Sequence, residues 1–357
     1  MKKNPLLFNR INTEERRQQV FSSDEKRITL SFYRYHQIED VPAFRDQLYQ
    51  LLDNLGVYGR IYLASEGING QISVSEANFE TFREKLYSID WLRNVRLNVA
   101  IDDDGKSFYV LKIKVRPKIV ADGLNDAAFD VTRRGRHLQA REVNELMEQD
   151  ETLVVDMRNH YESEVGYFEG AIRPDVETFR EALPIVEDML QQQKEKPIIM
   201  YCTGGIRCEK ASAYYLHKGF KNVYMIDGGI IEYSRQCEQQ QLPNRFRGKN
   251  FVFDERLGER ISAEVVSRCY QCGTPCDDHT NCNNDGCHAL IIQCPECAEA
   301  YQQCCSRKCA EFMQLPADVR QQYKNHITFM GKQAGKGRYY PELRDEALHM
   351  PELEEQE

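Results

Sequence analysis

Cys202-Thr203-Gly204-Gly205-Ile206-Arg207 is the stretch whose residue types and order are best suited to chemistry. It follows an apolar run, Pro197-Ile198-Ile199-Met200-Tyr201, and precedes a helical pattern from Glu209 to His217 that Gly219 ends. The cysteine is therefore expected where a buried strand meets a helix. Backbone N–H groups of such a loop can curl toward one centre, and the positive end of the helix dipole and the Arg207 guanidinium add to their field. That field favours a thiolate, so Cys202 reads as reactive rather than as a packed thiol. Gly204 and Gly205 admit backbone conformations that a Cβ resists. Cys208, in the helix's first turn, reads as a packed thiol, with resolution of a persulfide or disulfide on Cys202 as the alternative; Cys237 reads as inert.

Ten of the thirteen cysteines lie between Cys269 and Cys309, among them two Cys-x2-Cys knuckles. Cys269, Cys272, Cys294 and Cys297 have the spacing of a tetrahedral structural zinc site, against disulfides or packed thiols. With His279 and His288 the segment has donors enough for two ions, and spacing does not say which ligands share one. Met1 to Arg17 is polar, without the apolar stretch of a secretory signal, and no apolar run approaches the roughly 18 residues of a membrane span. A soluble cytoplasmic protein with reduced thiols is expected, with no membrane association. The chain of 357 residues with net charge -9 should form two or three domains and is not a generally basic nucleic-acid binder.

The elements that must position these groups read as follows. Arg27 to Tyr35, with Ile28, Leu30, Phe32 and Tyr33, is strand-like; Phe44, Leu48, Leu51, Leu52 and Leu55 share one helix face after Pro42; Val57–Ala64 and Gln71–Val74 are strands. Gly67-Ile68-Asn69-Gly70 reads as the hairpin turn between them, with backbone approach to a ligand as the alternative. A helix starting near Ser75 and strands near Val95–Ile101 and Phe108–Val115 complete a β-α-β-β-α-β ferredoxin-like domain over residues 26–120, after an N-terminal extension 1–25. The polar stretch 121–135, with Asp122 and Asp126, reads as a linker. From 136 to 240, a helix over Ala140–Met147 and the continuous apolar runs Leu153–Asp156, Pro197–Tyr201 and Val223–Ile226 predict an α/β domain with a parallel sheet. Asp156 and Arg158 read as a structural pair at a strand end. A cysteine-rich segment, 241–311, and a polar, acidic tail, 312–357, follow.

The 136–240 region resembles a rhodanese: Cys202 to Arg207 matches the Cys-x4-Arg loop, and Asp156-Met157-Arg158 and Phe168-Glu169-Gly170-Ala171 match other landmarks. Tyrosine-phosphatase relatives of that fold use the longer Cys-x5-Arg. The resemblance implies a persulfide-accepting role for Cys202, with Arg207 closing the loop. The whole layout, with Ala64-Ser65-Glu66-Gly67-Ile68-Asn69-Gly70, Gly228-Gly229-Ile230-Ile231-Glu232-Tyr233 and Asn250-Phe251-Val252-Phe253-Asp254-Glu255-Arg256, resembles the rhodanese-domain tRNA uridine hydroxylases. That resemblance implies conversion of wobble uridine 34 to 5-hydroxyuridine with molecular oxygen, acting on the anticodon loop of tRNA. No flavin or haem motif accompanies it, so the electron donor is left open.

Residue chemistry adds two basic clusters for RNA phosphates: Lys106, Lys112, Lys114, Arg116, Lys118, Arg133, Arg134 and Arg136, and Arg245, Arg247 and Lys249. A solvated face of mixed charge is the alternative for each. The acidic tail, with Glu352, Glu354, Glu355 and Glu357, would be repelled by RNA. Three readings stand: a tRNA hydroxylase, a sulfurtransferase fed by a sulfur donor, and a rhodanese-zinc scaffold without turnover. The Cys202 loop serves the first two equally.

Overall fold

Period-2 alternation along the first strands decides the N-terminal layer. The computed structural model describes residues 12–124, 130, 133–327, 329 and 347–350. The middle of the expected linker, including Asp126, and the acidic tail with Glu352, Glu354, Glu355 and Glu357 lie outside these residues. After α1 (Thr13–Phe21) come β1 (Arg27–Tyr35), α2 (Val41–Asn54), β2 (Tyr58–Ala64), β3 (Gly67–Ser75), α3 (Phe79–Tyr87), β4 (Asn98–Val99) and β5 (Leu111–Val115). The sheet order is β4-β1-β3-β2-β5, antiparallel except for the β2–β5 pair. Leu30, Phe32, Ile61, Leu63, Ile72 and Val74 bury one sheet face against Leu48, Leu52, Phe82 and Leu86 of α2 and α3. The alternate residues, Ser31, Tyr33, Arg60, Tyr62, Asn69 and Gln71, point to the face the helices leave uncovered.

The turn falls elsewhere than at Asn69-Gly70. Ala64 pairs with Gly67, so Ser65-Glu66 is a two-residue loop and both Asn69 and Gly70 lie inside β3. Packing overrides the local turn preference of Asn-Gly: Gly70 faces Phe32, whose ring would lie 2.8 Å from any Cβ placed there. Glu66 at the tip accepts from the Ile119 amide at 2.8 Å and from Lys210 at 2.7 Å. Expected strands also shorten to Asn98–Val99 and Leu111–Val115.

The next layer contains β6 (Arg136–Leu138), α4 (Ala140–Met147), β7 (Leu153–Asp156), α5 (His160–Ser163), β8 (Gly166–Phe168), α6 (Phe179–Met189), β9 (Pro197–Tyr201), α7 (Ile206–His217), β10 (Asn222–Ile226) and α8 (Gly229–Gln240). A wholly parallel sheet, β6-β10-β9-β7, is covered on both sides. Ile198 and Met200 pack with Leu183, Val186, Ala211 and Tyr215 of α6 and α7, while Ile199 and Tyr201 pack with Val143, Ile230 and Tyr233 of α4 and α8. Burial on both faces is why these strands read as continuous apolar runs.

The chain divides into two compact units. One comprises residues up to Ser163, Tyr167–Phe246 and Asn250–Ser262; the other comprises Glu164–Gly166, Arg247–Lys249 and the residues from Ala263 on. The ferredoxin-like and parallel-sheet layers share the first unit. Lys210, almost fully buried, bridges Glu66 at 2.7 Å and Asp122 at 3.6 Å. Asp122, expected in a linker, is buried and also accepts from Lys118 at 2.6 Å. Arg96 pairs with Asp227 at 2.5 Å, and Arg235 donates to the Val99 carbonyl at 2.6 Å. In the second unit, strands His279–Asn281 and Leu290–Ile292 form an antiparallel pair, followed by helices Pro295–Ala300, Arg307–Gln314 and Ala317–Tyr323. Among the described residues no helix is long and apolar enough to cross a membrane.

Asp156 and Arg158 form the structural pair expected of them. The guanidinium reaches the carboxylate through Nε at 2.9 Å and Nη2 at 2.7 Å, with neither side chain exposed. Asp156→Asn leaves a buried cation without its counter-charge, and a urea titration should find the protein about 3 kcal/mol less stable. Unchanged stability would mean that the charge is compensated elsewhere.

Candidate functional site

β9 ends at Tyr201, and the next residue carries the sulfur. Cys202 exposes no surface, yet it lines the floor of a cleft of about 290 Å³ in the first unit, close to the ~300 Å³ at which small-ligand sites begin. Gly205 directs its amide at the Cys202 sulfur, 3.1 Å away. It does so at φ +100°, a left-handed conformation, and a Cβ there would also meet the Tyr33 hydroxyl at 2.8 Å. Gly205 caps α7, so the helix's positive end faces the loop. The carbonyls of Cys202 and Thr203 accept from the amides of Ile230 and Ile231 at the start of α8, which turns them away from the sulfur.

Burial alone would push the Cys202 thiol up. The Cys208 thiol, the Arg207 charge and the amides of Arg207 and Gly205 outweigh it and hold the group down at about 6. Cys208 is pushed the other way by its own burial and by its hydrogen bond to Cys202. It therefore packs in the core, as expected, beside the Cys202 sulfur whose anionic form its thiol favours. Arg207 is fixed by two bonds to the fully buried Glu162 of α5, Nη1–Oε1 at 2.6 Å and Nη2–Oε2 at 2.8 Å. Its charge bears on the sulfur while its hydrogen bonds go to Glu162.

The opposite wall is the uncovered sheet face. Ser31, Tyr33, Arg60, Tyr62, Asn69 and Gln71 line the cleft, joined by Asn98 of β4. Asn69 thus meets the cleft through its side chain, which is not the backbone approach weighed as the alternative for that motif. Tyr33 donates to Glu209 Oε1 at 3.2 Å, which His137 Nε2 also approaches at 3.2 Å. Burial and Glu209 push the Tyr33 phenol well above its ordinary value, so it stays neutral. A third side comes from Val252, Phe253, Asp254 and Arg256 of the Asn250–Arg256 motif. Arg256 is held by Asp254 at 2.6 Å and Glu259 at 2.9 Å, and Phe253 stacks edge-on with Phe251, centroids 5.2 Å apart.

The expected basic residues separate into two groups. Lys112 and Lys114 are exposed on β5, in register with Arg60 and Tyr62 and so beside the cleft; the Arg116 guanidinium lies 5.9 Å from the Tyr62 ring centroid. Arg133 is exposed. Six more are engaged with carboxylates: Lys118 with Asp122 at 2.6 Å, Arg134 with Glu209 at 2.7 Å, Arg136 with Glu142 at 2.7 Å, Arg245 with Glu169 at 3.3 Å, Arg247 with Glu264 at 2.9 Å, and Lys249 with Asp277 at 3.0 Å. Sequence reasoning missed Arg60, Tyr33, Tyr62, Gln71 and Asn98. For those on β1 to β3 the signal was present, since they are the polar half of each alternating strand. Glu162 carried no local signal.

In the second unit, the sulfurs of Cys269, Cys272, Cys294 and Cys297 lie within 4.8 Å of one another. Cys272 and Cys294 are 3.6 Å apart, near the ~3.8 Å edge of a tetrahedron with Zn–S of about 2.3 Å. The residues fit a zinc ion.

Comparison with known proteins agrees with this layout. Residues 27–119 match the family described as UPF0176 acylphosphatase like domain, 139–236 the rhodanese-like domain, and 247–310 the rhodanase C-terminal family. A protein of Photorhabdus laumondii named tRNA uridine(34) hydroxylase is 56% identical over 313 residues, 87% of this chain and 89% of that protein. One of Yersinia pestis with the same name is 53% identical over 355 residues, 98% of both chains. The solution structure of the rhodanese-like domain of the Anabaena sp. Alr3790 protein aligns at TM-score 0.26 and 18% identity, over 37% of this chain and 92% of that domain.

The thiolate gives a direct measurement. The rate of iodoacetamide alkylation at Cys202 should rise with pH through an inflection near 6, and Cys208→Ala, which removes one of the hydrogen bonds to the sulfur, should move that inflection upward. An inflection unchanged in Cys208→Ala would remove Cys208 from the account.

Proposed function

The chain belongs to the tRNA uridine(34) hydroxylase family, and from that premise we propose that it hydroxylates the wobble uridine of tRNA at C5, with molecular oxygen as co-substrate and Cys202 as the group that engages the base. The observation that carries this reading is a thiolate at the floor of a cleft whose facing wall is an uncovered sheet with two tyrosines and an arginine. Unpaired bases bind such surfaces by stacking on aromatic rings and by hydrogen bonds to their edges. Tyr33 and Tyr62 supply rings, and Asn69, Gln71 and Asn98 supply amides for the uracil edge. Arg60, Lys112, Lys114 and Arg116 supply the positive rim for the anticodon-loop phosphates of an otherwise acidic protein.

Cys202 acts as a nucleophile in this scheme. Its thiolate adds to C6 of uracil, the C5–C6 π bond opens, and its electron pair enriches C5. C5 takes one atom of dioxygen; the other leaves as water, with two electrons and two protons from an external donor. Loss of the C5 proton and expulsion of the thiolate restore the C5–C6 double bond. Arg207 and the loop amides hold the sulfur as the anion before attack and accept it again afterward. Such a reaction belongs in the cytoplasm, with the tRNA pool. Cys269, Cys272, Cys294 and Cys297 would hold a structural zinc that supplies no step of this chemistry.

Cys202→Ser should abolish 5-hydroxyuridine in tRNA nucleosides measured by mass spectrometry after complementation of a deletion strain; full retention of product would exclude Cys202 as the engaging group. Turnover of thiosulfate and cyanide with no effect on tRNA would instead identify a sulfurtransferase, and no change in either assay a scaffold. Tyr62→Ala should raise KM for tRNA about ten-fold with kcat little changed, the loss of one stacking contact worth roughly 1–3 kcal/mol.

A further inference from the structure

Outside the four cysteines already assigned to zinc, a second set gathers in the same unit. The sulfurs of Cys282, Cys287, Cys305 and Cys309, all buried, lie within 4.8 Å of one another. Cys287–Cys305 and Cys305–Cys309 are each 3.7 Å apart. A disulfide would bring two sulfurs to about 2.05 Å, whereas four thiolates around one zinc stand ~3.8 Å apart along each edge. Donors aim at these sulfurs as well: Asn284 Nδ2 at Cys309, 3.3 Å, and the Cys305 amide at Cys282, 3.4 Å. N–H groups directed at sulfur stabilise the anionic, metal-binding form.

We propose that Cys282, Cys287, Cys305 and Cys309 bind a second zinc ion, and that the two sites interleave along the chain. Four ligand pairs occur in order: Cys269/Cys272, Cys282/Cys287, Cys294/Cys297 and Cys305/Cys309. The first and third make one tetrahedron, the second and fourth the other. Each ion therefore closes a loop containing a ligand pair of its neighbour, and neither half of the segment can be completed alone. Two buried glutamines tie the sites together. Gln271, between two ligands of the first site, donates to the carbonyls of Cys304 and Cys305 at 3.1 and 3.2 Å. Gln293, next to Cys294, donates to Gln271 Oε1 at 2.8 Å and to the Cys304 carbonyl at 3.1 Å. The core here also demands such a device: five of the ten buried residues of its apolar cluster are cysteines, and small cores of that kind rarely hold without metal or cross-links. Cys276 and Cys304, both buried, stand outside both sets.

The full-length protein, purified from zinc-replete cells without chelator, should carry two zinc ions per chain by plasma mass spectrometry. Cys276→Ser should keep both, and Cys287→Ser/Cys309→Ser should carry one or none. Because that double variant can fail to fold, the wild-type protein is also titrated with cobalt after zinc removal: thiolate-to-cobalt charge-transfer absorbance should saturate at two equivalents. Gln293→Leu, with all eight thiolates kept, should lose both ions to a chromogenic chelator several-fold faster than wild type. One zinc per chain in the wild type, saturation at one cobalt equivalent, or loss of an ion in Cys276→Ser would overturn the proposal. Its failure would leave the tRNA reading untouched, since none of these readouts depends on Cys202.

Discussion

A negative sulfur removed from water is the constraint on which the first unit is organised. Desolvation disfavours the anion strongly, so the thiolate persists only because several weak positive contributions converge on it: two amides, a helix end, a neighbouring thiol and the Arg207 charge. None can be placed by the loop alone. The loop starts at Cys202 because β9 lies buried between two layers, and it can curl because α7 begins at once with a left-handed glycine. Arg207 in turn would be an unmatched buried cation without Glu162, which comes from a different helix forty-five residues earlier.

The ferredoxin-like sheet serves this centre by what it leaves bare. One face is consumed by α2 and α3, and the other carries polar and aromatic side chains above the sulfur. The two layers are joined by buried charge rather than by a continuous apolar interface. Lys210, one helical turn past Arg207 on α7, reaches into the tip of the β2–β3 hairpin and to Asp122. Directional pairs of this kind set a specific geometry where hydrophobic contact would tolerate sliding. A cleft with aromatic rings and amides on one wall and a sulfur on its floor requires that definition.

The second unit solves a different problem. Its short strands and helices bury thiols where larger domains bury leucine and phenylalanine. Cysteines gathered in fours, their sulfurs within 4.8 Å of one another, have the donor set of a metal site, and a bound ion would supply the cross-links that so small a core lacks.

Much was legible along the chain. The strand–cysteine–glycine–arginine–helix order placed Cys202 and its loop, because the field at a strand-to-helix junction is a local property of a few consecutive residues. Continuous apolar runs identified a parallel sheet, and knuckle spacing picked out Cys269, Cys272, Cys294 and Cys297. Other features depended on contacts between distant residues. Asn69-Gly70 has the local preference of a turn, yet the register of β2 on β3 and the Phe32 ring moved the turn to Ser65-Glu66. Basic residues were visible as a cluster, but only folding decided that Arg134, Arg136, Arg245 and Arg247 would meet carboxylates while Lys112 and Lys114 stayed exposed beside Arg60. Sequence by itself determined the place of Cys202 between a strand and a helix and the elements that carry it, because periodicity and loop chemistry act over a few residues. Tertiary structure alone decided what faces that sulfur, what holds Arg207 and which cysteines stand together, because burial and electrostatic pairing act through space.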